Sequence, residues 1–151
     1  MTGVQTCALP ILLSMDYIVV KYGEIALKGD NKAFFEHALM ENIRLALKGL
    51  NYDSVKKLYG RLVIKLNEKS NLESIKEKLK QVFGIVYFAP AYLVDLDIED
   101  VKKKSLDLVA NEKTFHIKAK RSKKDFPLTS LEINDQVGSY IIKKQIYRML
   151  N

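Results

Sequence analysis

Apolar positions along the chain switch between two spacings, and each switch marks an element. From Asp16 to Lys21 the residues Tyr17, Ile18, Val19 and Val20 form a short apolar run, which predicts a buried strand. A polar loop with two glycines follows, Tyr22 to Gly29. Asp30 or Asn31 can then cap a helix in which Phe35, Leu39, Ile43, Ala46 and Leu47 recur at helical spacing, with Gly49 as its stop. Next, Tyr52 to Leu58 and Arg61 to Leu66 flank Tyr59-Gly60. Leu62, Ile64 and Leu66 alternate with Arg61, Val63 and Lys65, the pattern of a hairpin with one buried face. Ser70-x-x-Glu73 reads as a capping box, and Leu72, Ile75, Leu79, Val82 and Phe83 as the core face of a second helix ended by Gly84. Ile85 to Val94 reads as a fourth strand.

Strand, helix, strand, strand, helix, strand is the order of the split βαβ, or ferredoxin-like, unit. Residues 15–94 are therefore expected to form an α+β ferredoxin-like domain of βαββαβ order. Past Asp95 the pattern changes to a helix from about Ile98 to Asn111, a strand Thr114 to Lys120, and a long helix opened by the capping box Thr129-x-x-Glu132. On that helix Ile133, Val137 and Ile141 share a face, with Ile142 and Ile146 beside them. A lone strand between two helices cannot satisfy its edges, so residues 95–151 read as an incomplete second α/β unit, and the chain as a fragment.

The 151 residues are 48% hydrophobic and 28% charged with 7 Gly and 3 Pro, which argues for a folded chain over a disordered or repetitive one. No run of about 18 uncharged apolar residues is present, so no membrane span is expected. The single Cys excludes an internal disulfide and a multi-Cys zinc site. That residue, Cys7, lies in an uncharged stretch, Met1 to Ser14, ahead of Met15. The stretch resembles translated sequencing-adapter read-through; the rival reading is a secretory signal, which would lack a basic n-region and be broken by Pro10. Residues 1–14 are accordingly expected to be non-native.

The net charge of +7 makes an anionic partner the first class to consider. The excess is spread along the chain, with 13 basic and 9 acidic residues in 15–94 and 12 and 9 in 95–151. One window concentrates it: Lys118, Lys120, Arg121, Lys123 and Lys124, with no acid among them. Alternation places Phe115, Ile117 and Ala119 inward and His116, Lys118 and Lys120 outward, where they can meet successive phosphates. The same spacing equally suits a solvated edge protected by lysines. Lys28 of the Tyr22 to Gly29 loop and Lys32 just beyond it flank a helix N-terminus, but the stretch matches no phosphate-loop motif and Glu24 and Asp30 oppose an anion, so it reads as a structural connector before an anion site. His37 and His116 form no local metal pair and no catalytic constellation is present. Tyr22, Tyr59 and Tyr87 can stack on bases or simply pack.

Three stretches carry a family likeness: YIVVKYGEIALKG (Tyr17 to Gly29), VFGIVYFAPA (Val82 to Ala91) and KTFHIKAKRSKKDFPLTSLEIN (Lys113 to Asn134). Together they resemble the N-terminal region of the ThiI family, the tRNA 4-thiouridine synthetases. The resemblance implies a ferredoxin-like domain followed by a THUMP domain that hold the acceptor end of tRNA. It also implies a further PP-loop domain that uses ATP and Mg²⁺, a cysteine desulfurase as sulfur donor, a role in thiamine thiazole synthesis, a cytoplasmic location and scope for a homodimer. It makes Lys118, Lys120, Arg121 and Lys123 the expected RNA contacts, with Lys124 added on charge and Lys28 and Lys32 secondary. The sequence departs from the family pattern at Asp30 and His116. No Ser-Gly-Gly pyrophosphatase loop is present, so the piece is expected to be non-catalytic and to hold no cofactor or metal itself. A stand-alone ferredoxin-like interaction module and a phosphate-handling enzyme built on the 22–29 loop are the rival readings.

Overall fold

The structure is a computed structural model that describes residues 17–23, 31–58, 60–110, 112–121 and 124–150. The prefix 1–14, Lys28, Asp30, Tyr59, Lys123 and most of the 22–29 loop therefore lie outside the described residues. The chain divides into two compact units between Leu93 and Val94.

In the first unit the elements are β1 (Tyr17–Tyr22), α1 (Asn31–Ala46), β2 (Ser54–Leu58), β3 (Arg61–Lys65), α2 (Leu72–Lys80) and β4 (Ile85–Ala91). The strands form one antiparallel sheet in the order β2-β3-β1-β4, the ferredoxin-like arrangement. Period-two alternation then separates the two faces. Ile18, Val20 and Tyr22 of β1 meet Leu62 and Ile64 of β3 on the covered side, where Leu39, Ile43, Leu47, Ile75 and Leu79 of the helical segments close the core. Tyr17, Val19 and Lys21 of β1 point to the other side, opposite Lys65 and Val63 on β3 and Ala91, Ala89 and Tyr87 on β4. Gly84 turns the chain from α2 into β4 at φ +97°, a conformation that side chains with a Cβ rarely adopt. Its carbonyl accepts the Gly23 N–H at 3.3 Å, tying the end of β1 to that turn.

Two local expectations in this unit are corrected. Asn71, not Ser70, caps α2: its Oδ1 accepts the Ser74 N–H at 3.0 Å. Ser70 instead closes a turn with Asn67, whose N–H its hydroxyl accepts at 2.9 Å, and Glu73 pairs with Lys76 along the helix at 2.9 Å. Phe83, predicted on the core face, is 92% exposed, because the helix ends at Lys80 and the turn into β4 swings it outward.

The second unit holds α3 (Ile98–Leu108) and α4 (Ser130–Leu150), packed around buried Leu106, Val137 and Ile141. Asp97 caps α3, and α4 opens with the reciprocal Thr129–Glu132 box. The first helix stops three residues before the expected Asn111, and Gln145 of α4 donates to the Val109 carbonyl there at 3.3 Å. Ile142 and Ile146 are half exposed, outside the buried stripe. The predicted strand Thr114–Lys120 joins no sheet among the described residues. It keeps the burial alternation of a strand, since Phe115 and Ile117 pack against the helices, but among the described residues no strand pairs with it in a ladder.

Candidate nucleic-acid interface

The segment 114–121 is held by side chains instead of a sheet. Phe115 and Ile117 sit in the apolar cluster of α3 and α4, and the Ala119 N–H donates to Asn134 Oδ1 on α4 at 2.6 Å. That bond satisfies a backbone donor that would otherwise need a ladder partner. With every second residue anchored, His116, Lys118 and Lys120 are exposed in a row on the opposite side. At about 6.6 Å between alternate residues, such a row matches the spacing of successive phosphates in a nucleic-acid strand.

Arg121 does something different. Its guanidinium donates to the carbonyls of Leu128 at 3.0 Å and Phe126 at 3.4 Å, so it staples the loop that leads into α4. Its charge also helps hold the Glu132 carboxyl below the usual glutamate range, although the backbone and hydroxyl hydrogen bonds from Thr129 do most of this. Lys124 is exposed beyond the staple. Lys32 is exposed in the first turn of α1. The structure thus brings together the outward cations Lys118 and Lys120 on an anchored segment and gives Arg121 a structural task.

Two constellations were not read from the sequence. Asn134 was missed, although an Asn inside a helix beside a buried stripe signals a side chain committed elsewhere. In the first unit Glu36 is 2% exposed and accepts hydrogen bonds from the buried Tyr22 hydroxyl and from Lys57 Nζ. Burial pushes the Glu36 carboxyl up, but the bonds from Lys57 and Tyr22 and the charges of Lys57 and Lys32 outweigh it, leaving the group below its ordinary value. Its signal was an acid on the stripe of Leu39 and Ile43. Of the three tyrosines weighed as base-stackers, Tyr22 is buried in this triad, while Tyr87 is half exposed on the uncovered sheet face. Among the described residues no three His, Cys, Asp or Glu side chains converge as metal ligands, and no helix is long and apolar enough to cross a membrane.

Comparison with known proteins adds to this geometry. Residues 17–89 match the family model of the ThiI ferredoxin-like domain, and residues 69–148 that of the THUMP domain. A probable tRNA sulfurtransferase of Caldanaerobacter subterraneus subsp. tengcongensis is 40% identical over 130 residues, covering 85% of this chain and 34% of the relative. The probable tRNA sulfurtransferase of Coxiella burnetii is 40% identical over 132 residues. Among solved structures, a 4-thiouridine synthetase in complex with RNA and bound ATP superposes at a TM-score of 0.69 with 36% identity, over 87% of this chain and 34% of that one. PH1313 from Pyrococcus horikoshii Ot3 superposes at 0.73 with 35% identity, over 85% of this chain and 45% of that one. The chain spans about a third of the length of the curated relatives it matches.

Proposed function

The chain belongs to the ThiI family of THUMP-domain proteins, and from that premise we propose that it is the tRNA-holding portion of an ATP-dependent tRNA uridine 4-sulfurtransferase. It grips the acceptor end of tRNA and presents it to chemistry performed elsewhere in the enzyme. The observation that carries this reading is the outward row His116, Lys118 and Lys120, anchored at every second residue on α4. Because the segment is pinned before RNA arrives, binding loses little conformational freedom there. The 36% identity to a 4-thiouridine synthetase crystallised with RNA supports the same partner.

In this reading the primary contacts are Lys118, Lys120, Lys123 and Lys124, with Arg121 tying down the loop that leads into α4 and Lys28 and Lys32 secondary. Uridine activation by ATP and Mg²⁺ belongs to the two thirds of the relatives' length that this chain does not span. The residues present do not fit those groups: the sequence has no Ser-Gly-Gly phosphate loop, and among the described residues no three His, Cys, Asp or Glu side chains converge as metal ligands. Sulfur delivery from a cysteine desulfurase, a second role in thiamine thiazole synthesis, a cytoplasmic setting and a homodimer complete the proposal for the whole enzyme.

Fluorescence anisotropy with labelled tRNA tests it. Log affinity should fall with log salt at a slope of about −3.6 for the four phosphate contacts, and the Lys118→Glu/Lys120→Glu double variant should flatten that slope by about 2. Equal affinity and equal slope for the two proteins would remove the assigned surface.

A further inference from the structure

We propose that the uncovered face of the four-stranded sheet is a second RNA surface, which takes single-stranded nucleotides by stacking and phosphate contact. The proposal extends the tRNA reading above and rests on it.

Strand alternation sends Tyr17 and Lys21 of β1, Lys56 of β2, Arg61 and Lys65 of β3 and Tyr87 of β4 to this side. None of these residues enters the buried core. Lys21 pairs directly with Tyr87, and Arg61 follows the neighbouring register pair Val20–Leu62, so Arg61, Lys21 and Tyr87 form a row across three adjacent strands. Lys21 Nζ lies 5.6 Å from the Tyr87 ring centroid, and that ring is 50% exposed. The middle of the face is a floor of half-buried Val19 and Val63, low enough for a flat base to approach.

The twelve strand residues of this side include four cations and no acid. Asp53, just ahead of β2, pairs with Lys65 at 3.2 Å. Cations around an open aromatic ring suit an unstacked base with its phosphate, because every base has a π-face and the flanking charges track the backbone. Duplex RNA keeps its bases stacked on each other and leaves the ring without a role. Apart from the half-exposed Leu58 and Tyr87, this face has four cations over a floor of small side chains, so its charge favours a polyanion over an apolar protein partner.

The test uses the full chain with a labelled ten-nucleotide single-stranded RNA and the duplex of the same sequence. Tyr87→Ala should weaken single-strand binding about 5- to 150-fold, Tyr87→Phe should restore it, and duplex affinity should stay unchanged. Lys21→Glu/Arg61→Glu should also weaken single-strand binding and flatten its salt slope by about 1.4. Thermal melts check that each variant is folded, as expected for changes on exposed positions. Wild-type single-strand affinity in Tyr87→Ala, or an equal loss on the duplex, overturns the proposal. So does a dimer-to-monomer change in sedimentation with RNA binding intact, which would make the face an interface between copies. If Lys118→Glu/Lys120→Glu loses tRNA while Tyr87→Ala keeps the single strand, the tRNA reading stands and the sheet-face proposal falls. If no variant changes any affinity, both fall.

Discussion

Replacing Glu36 by Ala should destabilise the first unit by about 2–4 kcal/mol, far more than an average surface change. Two contributions make up this figure. A hydrogen bond to a charged acceptor contributes about 1.5–3 kcal/mol, and Glu36→Ala removes the acceptor of the buried Tyr22 hydroxyl. Lys57 is 47% exposed, so its ion pair with Glu36 adds only about 0.2–1 kcal/mol and the freed ammonium can turn to water. The cost therefore lies mainly in the tyrosine bond, and Tyr22→Phe should reproduce about half of it or more. Replacing the whole constellation at once, Tyr22→Phe/Glu36→Leu/Lys57→Met, leaves no charge behind and should fall within about 1 kcal/mol of wild type or exceed it. Urea melts at neutral pH measure all three, and a double-mutant cycle between Tyr22→Phe and Glu36→Gln isolates the coupling. The pH dependence has a definite sign. Glu36 is held below its ordinary value in the folded protein, so its contribution is present above the unfolded pKa, about 4.3, and is lost as pH falls through the folded one. Wild type should thus lose more stability than Glu36→Gln between neutral pH and pH of about 3. Glu36→Ala at wild-type stability, or identical acid sensitivity in Glu36→Gln, would refute the reasoning.

Three further outcomes follow from the geometry. Gly84→Ala would place a Cβ 3.1 Å from Phe35 Cζ at φ +97°, and should lower stability by about 1–3 kcal/mol in a denaturant melt. Thr129→Ala removes the hydroxyl that accepts the Glu132 N–H at 3.2 Å and should cost about 0.5–2 kcal/mol, seen as earlier melting of α4 by circular dichroism. Arg121→Ala should lower both the melting temperature and tRNA affinity, since it unties the Phe126 and Leu128 carbonyls, whereas Lys120→Ala should lower affinity alone; equal melting temperatures for the two would contradict the staple.

Much of the architecture was legible along the chain because it depends on local periods. The alternation of Leu62, Ile64 and Leu66 is buried as spaced, Leu39, Ile43 and Leu47 form the core stripe of the α1 segment, and Thr129 and Glu132 cap α4 reciprocally. These signals need only neighbours within a few residues, so a one-dimensional pattern carries them. The shift of the α2 cap from Ser70 to Asn71 shows the limit of that logic, since two adjacent capping residues compete and the Asn67 turn settles which one remains available.

What the residues determined by themselves is the order of elements, the sides they bury and the surplus of positive charge, all consequences of spacing and side-chain type. Tertiary structure alone decided which partners lie across space. Thr114–Lys120 has strand alternation yet joins no ladder among the described residues, and the Ala119 N–H is met by Asn134 on a helix fifteen positions away. Glu36 stays charged inside the protein because folding brings it to Tyr22 and Lys57, fourteen and twenty-one positions away. Arg121 reads as one more cation in a basic run until the chain closes two carbonyls onto it. For Asn134 and Glu36 the energy belongs to contacts fourteen to twenty-one positions apart, and for Arg121 to a loop closed five and seven residues on, none of which a helix or strand period encodes.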